Sequence, residues 1–201
     1  MICLRPKPYK ATKPSYLAEI AIPLALSGVN PRTILGKAEW REIAKKAKRL
    51  TNYHCKCCGI HTLDIPAEDN LEAHEVYEID FKAKKATYKK TIPVCTLCHE
   101  VIHHRRIMRL FANGKYKKTR LRKLISHAAK LLPPDNPKLL ELKSIIAGAT
   151  LEAILAAADH EAIGEFSSWR LIYKNKAYPP KFPNLEALKA YYAKVNNYEN
   201  P

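Results

Sequence analysis

The sequence predicts an α+β fold: a small core of two strands and a helix braced by cysteines, with flanking helices and a mostly helical C-terminal region. Three observations predict it. Two Cys-x2-Cys pairs, Cys55/Cys58 and Cys95/Cys98, bracket a stretch of short apolar runs set in loop-forming residues. Apolar residues on both sides of that stretch recur with helical spacing. The segment from Leu151 onward mixes helical patterns with one compact hairpin signal around Asn175.

Residues 1–14 are rich in Pro and Lys and read as an extended arm. From Gly36 to Leu50, Trp40, Ile43, Ala44, Ala47 and Leu50 share one face of an amphipathic helix, with Lys and Arg opposite. Leu71–Phe81 and Ala86–Val94 read as two strands, and Thr96–Phe111 as a helix closed by Asn113-Gly114. Thr119–Leu132 is a helix whose apolar side carries Leu121, Leu124, Ile125, Ala128 and Leu132, ended by Pro133-Pro134. Asp135 or Asn136 caps the next helix, with Pro137 in its first turn. Leu151–Ala158 is another helix, and Trp169–Tyr178 a hairpin. Asn184 caps a last helix bearing Leu185, Leu188, Tyr191, Tyr192 and Val195. The expected division is a basic N-terminal arm at 1–35, the cysteine-braced core at 36–115, and a helical C-terminal region at 116–201.

With 201 residues, 47% hydrophobic and 27% charged, the chain has the composition of a globular protein. No apolar run reaches the roughly 20 residues of a membrane span, and the first residues lack the apolar stretch of a secretion signal. The expected location is therefore the cytoplasm, where thiols stay reduced and paired cysteines read as metal ligands. The net charge of +16 is unevenly spread. Residues 1–50 carry 11 Lys/Arg against 3 acids, 51–81 carry 1 against 7, 82–123 carry 14 against 1, and 124–201 carry 9 against 8. Basic flanks suit a polyanion, and the acidic patch between them suits a divalent cation.

Two Cys-x2-Cys pairs can place four thiolates around one zinc ion, and Gly59 permits the tight turn after the first pair. Cys55, Cys58, Cys95 and Cys98 are the expected structural zinc ligands, with Cys57 a spare thiol able to replace a neighbour. Cys3 reads as a small apolar residue. His99 and His103 stand four apart, one helical turn, and with His74 from the acidic patch they form a candidate second metal site. His54, His61 and His104 are lesser candidates; His127 and His160 read as helix-surface residues.

Cys-x2-Cys-Gly, then Leu71-Glu72-Ala73-His74-Glu75-Val76, then Val94-Cys95-x2-Cys98-His99-x3-His103 resembles the HNH, or ββα-metal, endonucleases that carry two zinc knuckles and are common in bacteria and phages. The resemblance covers about a quarter of the chain. It implies a treble-clef-like hairpin and helix with a divalent ion, Mg²⁺ or Mn²⁺, held between them by His74, His99 and His103. It places Glu75 at the general-base position. A register shifted by one residue would make His74 the base. Glu75 stands where the family usually has His, and no Asn precedes the second knuckle.

The resemblance thus implies a metal-dependent endonuclease hydrolysing phosphodiesters, with DNA the expected substrate, in a bacterial or phage-infected cell. Its site residues are His74, Glu75, His99 and His103. The basic stretches supply phosphate-binding candidates: Lys82, Lys84, Lys85, Lys89 and Lys90 before the second knuckle, and Arg105, Arg106 and Arg109 after it. The competing expectation is a zinc-stapled nucleic-acid-binding module without cleavage. The C-terminal helices, with no chemistry of their own, are the expected surface for a homodimer.

Overall fold

A computed structural model describes residues 12–18, 22–157 and 165–198. Cys3, His160 and, within the basic arm, residues 1–11 and 19–21 lie outside the described residues. The fold is α+β, with a four-stranded sheet and helices before, between and after its strands. In order, the elements are α1 (Pro31–Leu50), β1 (Leu71–Asp80), β2 (Lys85–Cys95), α2 (Thr96–Ile102), α3 (His104–Ala112), α4 (Lys118–Ala129), α5 (Pro137–Ile146), α6 (Leu151–Ala157), β3 (Arg170–Tyr173), β4 (Lys176–Tyr178) and α7 (Leu185–Tyr198). No helix among the described residues is long and apolar enough to cross a membrane.

The described residues form two compact units, each assembled from three segments: 12–18, 44–74 and 91–157 in the first, 22–43, 75–90 and 165–198 in the second. The boundaries expected at 35 and 115 both fall inside segments of these units. The first unit buries Tyr16 and Leu17 together with Val101, Ile102, Met108, Leu121, Leu124, Leu139 and Leu142. The second closes around Trp169, which packs with Leu26, Ala86, Leu171, Phe182 and Leu188 and meets the Phe81 ring edge-on at 5.6 Å. The sheet runs β1-β2-β3-β4, and β2 pairs with β3 in parallel, Lys85 opposite Arg170 and Thr87 opposite Ile172. That pairing had no local signal in the sequence, because it joins residues far apart along the chain.

Three local readings are corrected and one is extended. A short helix from Pro31 precedes the one read from Gly36. Asn30 and Thr33 cap it reciprocally at 3.0 Å, and Gly36, at φ 79°, ψ 173°, separates the two pieces. Leu50 is 73% exposed, so the apolar face ends at Ala47. The helix expected over 96–111 is two helices, interrupted at His103, whose φ −97° and ψ 31° are not helical. Tyr191 and Tyr192 do not follow Leu188 into the core; both are exposed. Elsewhere capping chemistry acts as read: the Asn136 side chain accepts from Lys138 N–H at 3.1 Å, and that of Asn184 from Ala187 N–H at 2.9 Å.

Candidate metal centre

The first knuckle lies in the loop after α1. Gly59, at φ 81°, turns the chain so that its N–H donates to Cys55 O at 2.9 Å, while Cys55 N–H donates to Ile60 O at 2.8 Å. Lys56 N–H reaches Pro93 O at 2.8 Å, which ties this knuckle to the end of β2, two residues before Cys95. Cys95 ends β2 and Cys98 sits in the first turn of α2. The four sulfurs of Cys55, Cys58, Cys95 and Cys98 form one cluster.

The Cys58 and Cys95 sulfurs are 3.7 Å apart. A disulfide needs about 2.0 Å, whereas Zn–S bonds of about 2.3 Å give a tetrahedron with edges of about 3.8 Å. The donors fit zinc. Contact with Cys57 first, then with the other three, pushes the Cys55 thiol down, and the Cys55 contact pushes those of Cys95 and Cys98 up. Sulfurs packed this tightly hold their full negative charge only if a cation shares it. Cys57 is buried beside the four but is not one of them; the Cys55 contact pushes its thiol up, which keeps it a neutral S–H donor.

The second cluster is His74, His99 and His103. His74 comes from β1, His99 from α2, and His103 from the break between α2 and α3. The break does not separate the pair, because His103 N–H still donates to His99 O at 3.0 Å. Ring centroids are 5.3 Å apart for His74–His99, 5.2 Å for His74–His103 and 4.8 Å for His99–His103. Ligand atoms of the three lie within 4.8 Å of one another. Burial, then the neighbouring His103 charge, lowers His74 to about 3; burial, then His99, lowers His103 to about 4. Both rings are therefore neutral near pH 7, the form that ligates metal. His74 Nδ1 is buried with no hydrogen-bond partner. A buried ring nitrogen left unpaired is costly, and a shared cation would satisfy it. The three residues fit a metal ion, and imidazole donors suit zinc better than Mg²⁺, which takes oxygen ligands.

Glu72, not singled out in the sequence, completes the cluster. It lies two residues before His74, so both leave the same face of β1. Its carboxylate accepts from His99 Nδ1 at 2.8 Å and from the Thr96 hydroxyl at 3.0 Å, and the His99 contact lowers its pKa. That bond fixes the His99 ring and turns Nε2 toward the cluster. Glu75 leaves β1 on the opposite face and is not in the cluster.

Residues remote in sequence also reach these centres. His127, read as a surface residue, places Nε2 3.1 Å from Cys98 Sγ. Arg120 grips Asp69 with two bonds of 3.0 and 2.7 Å and bonds Glu100 at 3.1–3.2 Å, tying α4 to the loop before β1 and to α2. Lys138 Nζ donates to Ile102 O at 3.4 Å, and its charge contributes to lowering His74 and His103. None of these had a local signal; each depends on how α4 and α5 pack. The lesser histidines have other roles. His54 bonds backbone carbonyls through Nδ1, His61 caps a short turn, and His104 pairs with Glu141 at 2.8 Å.

Among the phosphate-binding candidates, Lys82, Lys85, Lys89 and Lys90 are exposed, and Lys84 lies over the Trp169 ring at 5.4 Å. Lys89 is ion-paired with Glu78. Arg105 is engaged by Glu141 at 3.1 Å, while Arg106 and Arg109 are exposed on α3.

Comparison with protein-family models, with curated proteins and with solved structures finds no match to this chain. The class of the site rests on its own geometry: a tetrathiolate cluster suited to zinc, and a three-histidine cluster able to hold a second ion.

Proposed function

We propose that the protein is a metal-dependent endonuclease of the ββα-metal (HNH) type, hydrolysing phosphodiester bonds in nucleic acid, with DNA as substrate. The observation that carries this reading is the three-histidine cluster on strand and helix, next in sequence to the zinc-type knuckle at Cys95 and Cys98. When bound, a divalent ion supplies Lewis acidity to a phosphate oxygen and to the leaving 3′ oxygen. The chain's part is to hold His74 and His103 neutral, while Glu72 fixes the His99 ring. Lys138, with Arg106, adds positive charge beside His103 to receive a phosphate. The imidazole donors make Zn²⁺ or a similar transition ion the first to test, with Mn²⁺ and Mg²⁺ as comparators.

The attacking water needs a proton acceptor, and the resemblance assigns Glu75. Glu75 projects from the face of β1 opposite His74, so this assignment calls for a direct test. Glu75→Gln keeps its shape and removes its basicity; a fall in rate of about 10²–10⁴-fold is expected, and an unchanged rate would move the base to His74. A non-cleaving nucleic-acid-binding module is the second reading, favoured by Glu75 standing where the family usually carries His.

The deciding experiment incubates the full chain with plasmid and with single-stranded DNA, adding Zn²⁺, Mn²⁺, Mg²⁺ or a chelator. Metal-dependent cleavage that the His74→Ala, His103→Ala double variant lacks, while its affinity for DNA persists, supports the nuclease. Binding that weakens steeply with salt, with no cleavage under any metal, supports the module. Cleavage by the double variant at the wild-type rate places the chemistry elsewhere.

A further inference from the structure

The second unit has a surface that the metal centres do not use. On α7, Leu185 and Leu188 pack against the core around Trp169, and Leu188 is 5% exposed. Tyr191 and Tyr192 follow three and four residues later, on the same helical stripe, yet they are 40% and 44% exposed. Their rings meet edge-on at 5.4 Å, and Tyr191 also meets Phe182 at 5.1 Å. Lys181 sets its Nζ 4.3 Å from the Tyr191 centroid and 5.3 Å from that of Phe182. The result is a pair of exposed aromatic rings, Tyr191 and Tyr192, with a cation resting on the first of them.

The charge around the rings selects among partners. Residues 165–198 carry six Lys/Arg (Arg170, Lys174, Lys176, Lys181, Lys189, Lys194) against two acids (Glu165, Glu186), a net +4. A second copy of the chain would bring the same positive charge to the contact, which opposes pairing. A polyanion is attracted, and the one whose other recognition surface is a flat π-face is nucleic acid with unstacked bases. Intact duplex keeps its base faces covered.

We propose that Lys181, Tyr191 and Tyr192 form a stacking platform for unpaired nucleobases, so that the protein engages single-stranded or locally opened nucleic acid in preference to closed duplex. This rests on nucleic acid being the partner in the reading above, but not on cleavage. Lysine neutralises phosphate, the two tyrosines each offer a face or edge to a base, and sequence preference is weak because every base has a π-face.

The test measures binding of the full chain to fluorescein-labelled oligothymidylate and to a duplex of equal length by anisotropy, with no divalent ion added. Light scattering and sedimentation with anionic phospholipid vesicles run alongside. Tyr191→Ala and Tyr192→Ala are each expected to weaken oligothymidylate binding about tenfold and to leave duplex binding unchanged. The Tyr→Phe variants should bind like wild type, and Lys181→Ala should weaken binding with a shallower salt dependence. Equal binding by the Ala variants and wild type overturns the platform while leaving nucleic acid as the partner. Wild-type protein that binds neither oligonucleotide overturns both. A wild-type dimer that the Ala substitutions split makes the face a subunit contact, and vesicle binding without oligothymidylate binding makes it a lipid contact; either result overturns the inference.

Discussion

The two units of this chain are stabilised by different physics. Among the described residues, every buried polar or charged side chain (Thr51, His54, Asp69, His74 and His104) belongs to the first unit, which also holds both clusters of metal-ligating groups. The second buries apolar and aromatic groups and keeps its cations outside, several of them resting on rings, as Lys84 on Trp169 and Lys174 on Tyr173. A core of neutral apolar groups is insensitive to pH and chelators. A core containing thiols and imidazoles depends on what neutralises and satisfies them. Perturbations should therefore separate the units.

The largest separation is expected from the metal. Structural zinc contributes about 10–16 kcal/mol of apparent binding free energy in small knuckles at pH 7. Cys95→Ser should release the zinc and expose backbone amides around residues 52–62 and 91–99 to hydrogen exchange. Protection in 165–178 should be retained. The first unit also has an apolar core on α2, α4 and α5, centred on Met108, Leu121, Leu124 and Leu142, so those helices should keep much of their protection. Uniform loss of protection in both units would break the distinction.

Trp169→Ala is the reciprocal perturbation. The ring is fully buried, and truncation should cost about 3–5 kcal/mol, read as a lower urea midpoint in the phase that reports on the second unit. Zinc stoichiometry should stay unchanged. Loss of zinc in this variant would show that the units are energetically one.

A smaller effect separates the units by pH. Burial alone would raise Glu141, but hydrogen bonds from His104 and Arg105 outweigh it and hold the carboxyl down at about 2. His104 donates through Nε2 and has a buried Nδ1 without a partner, and burial lowers its pKa. The consistent arrangement is a neutral ring, because an imidazolium would leave a second buried N–H unpaired. Since the folded pKa of Glu141 lies below its unfolded value, its contribution is present above pH 4.5 and disappears as pH falls toward 2. Glu141→Gln should cost about 2 kcal/mol at neutral pH, and the gap between the two stability curves should close over that acid range. A gap constant from pH 7 to pH 2 would contradict the assignment.

What could be read from the sequence follows how local the determining chemistry is. The Cys-x2-Cys pairs, the His99/His103 spacing and the caps at Asn136 and Asn184 are set within a few residues, and the structure has them where spacing placed them. The parallel pairing of β2 with β3, the His127 contact to Cys98 and the Glu141 pair to His104 are made by residues 29 or more positions apart, which no periodicity reports. The break at His103 was hidden for a different reason: helical spacing survives there, since His103 keeps its bond to His99 O while its backbone leaves the helical region. Glu72 was within reach, because strand alternation alone puts it on the His74 face.

Glu72 also gives the most local of the expected effects. Its Oε2 accepts from His99 Nδ1 at 2.8 Å while Oε1 takes the Thr96 hydroxyl at 3.0 Å. The carboxylate therefore sets the tautomer of His99 and leaves Nε2 as the lone-pair nitrogen. Glu72→Gln preserves size and can still accept through its amide oxygen, but it loses the negative charge that makes the imidazole a better donor. The variant should bind Zn²⁺ or Co²⁺ at the three-histidine cluster about 10–100-fold more weakly, measured by competition with a chromophoric chelator on protein whose thiolate site is already filled. Glu75→Gln, with its carboxylate on the opposite face of β1, should leave that affinity unchanged. Equal weakening by both variants would mean that charge in the acidic patch, and not the Glu72–His99 bond, controls the cluster.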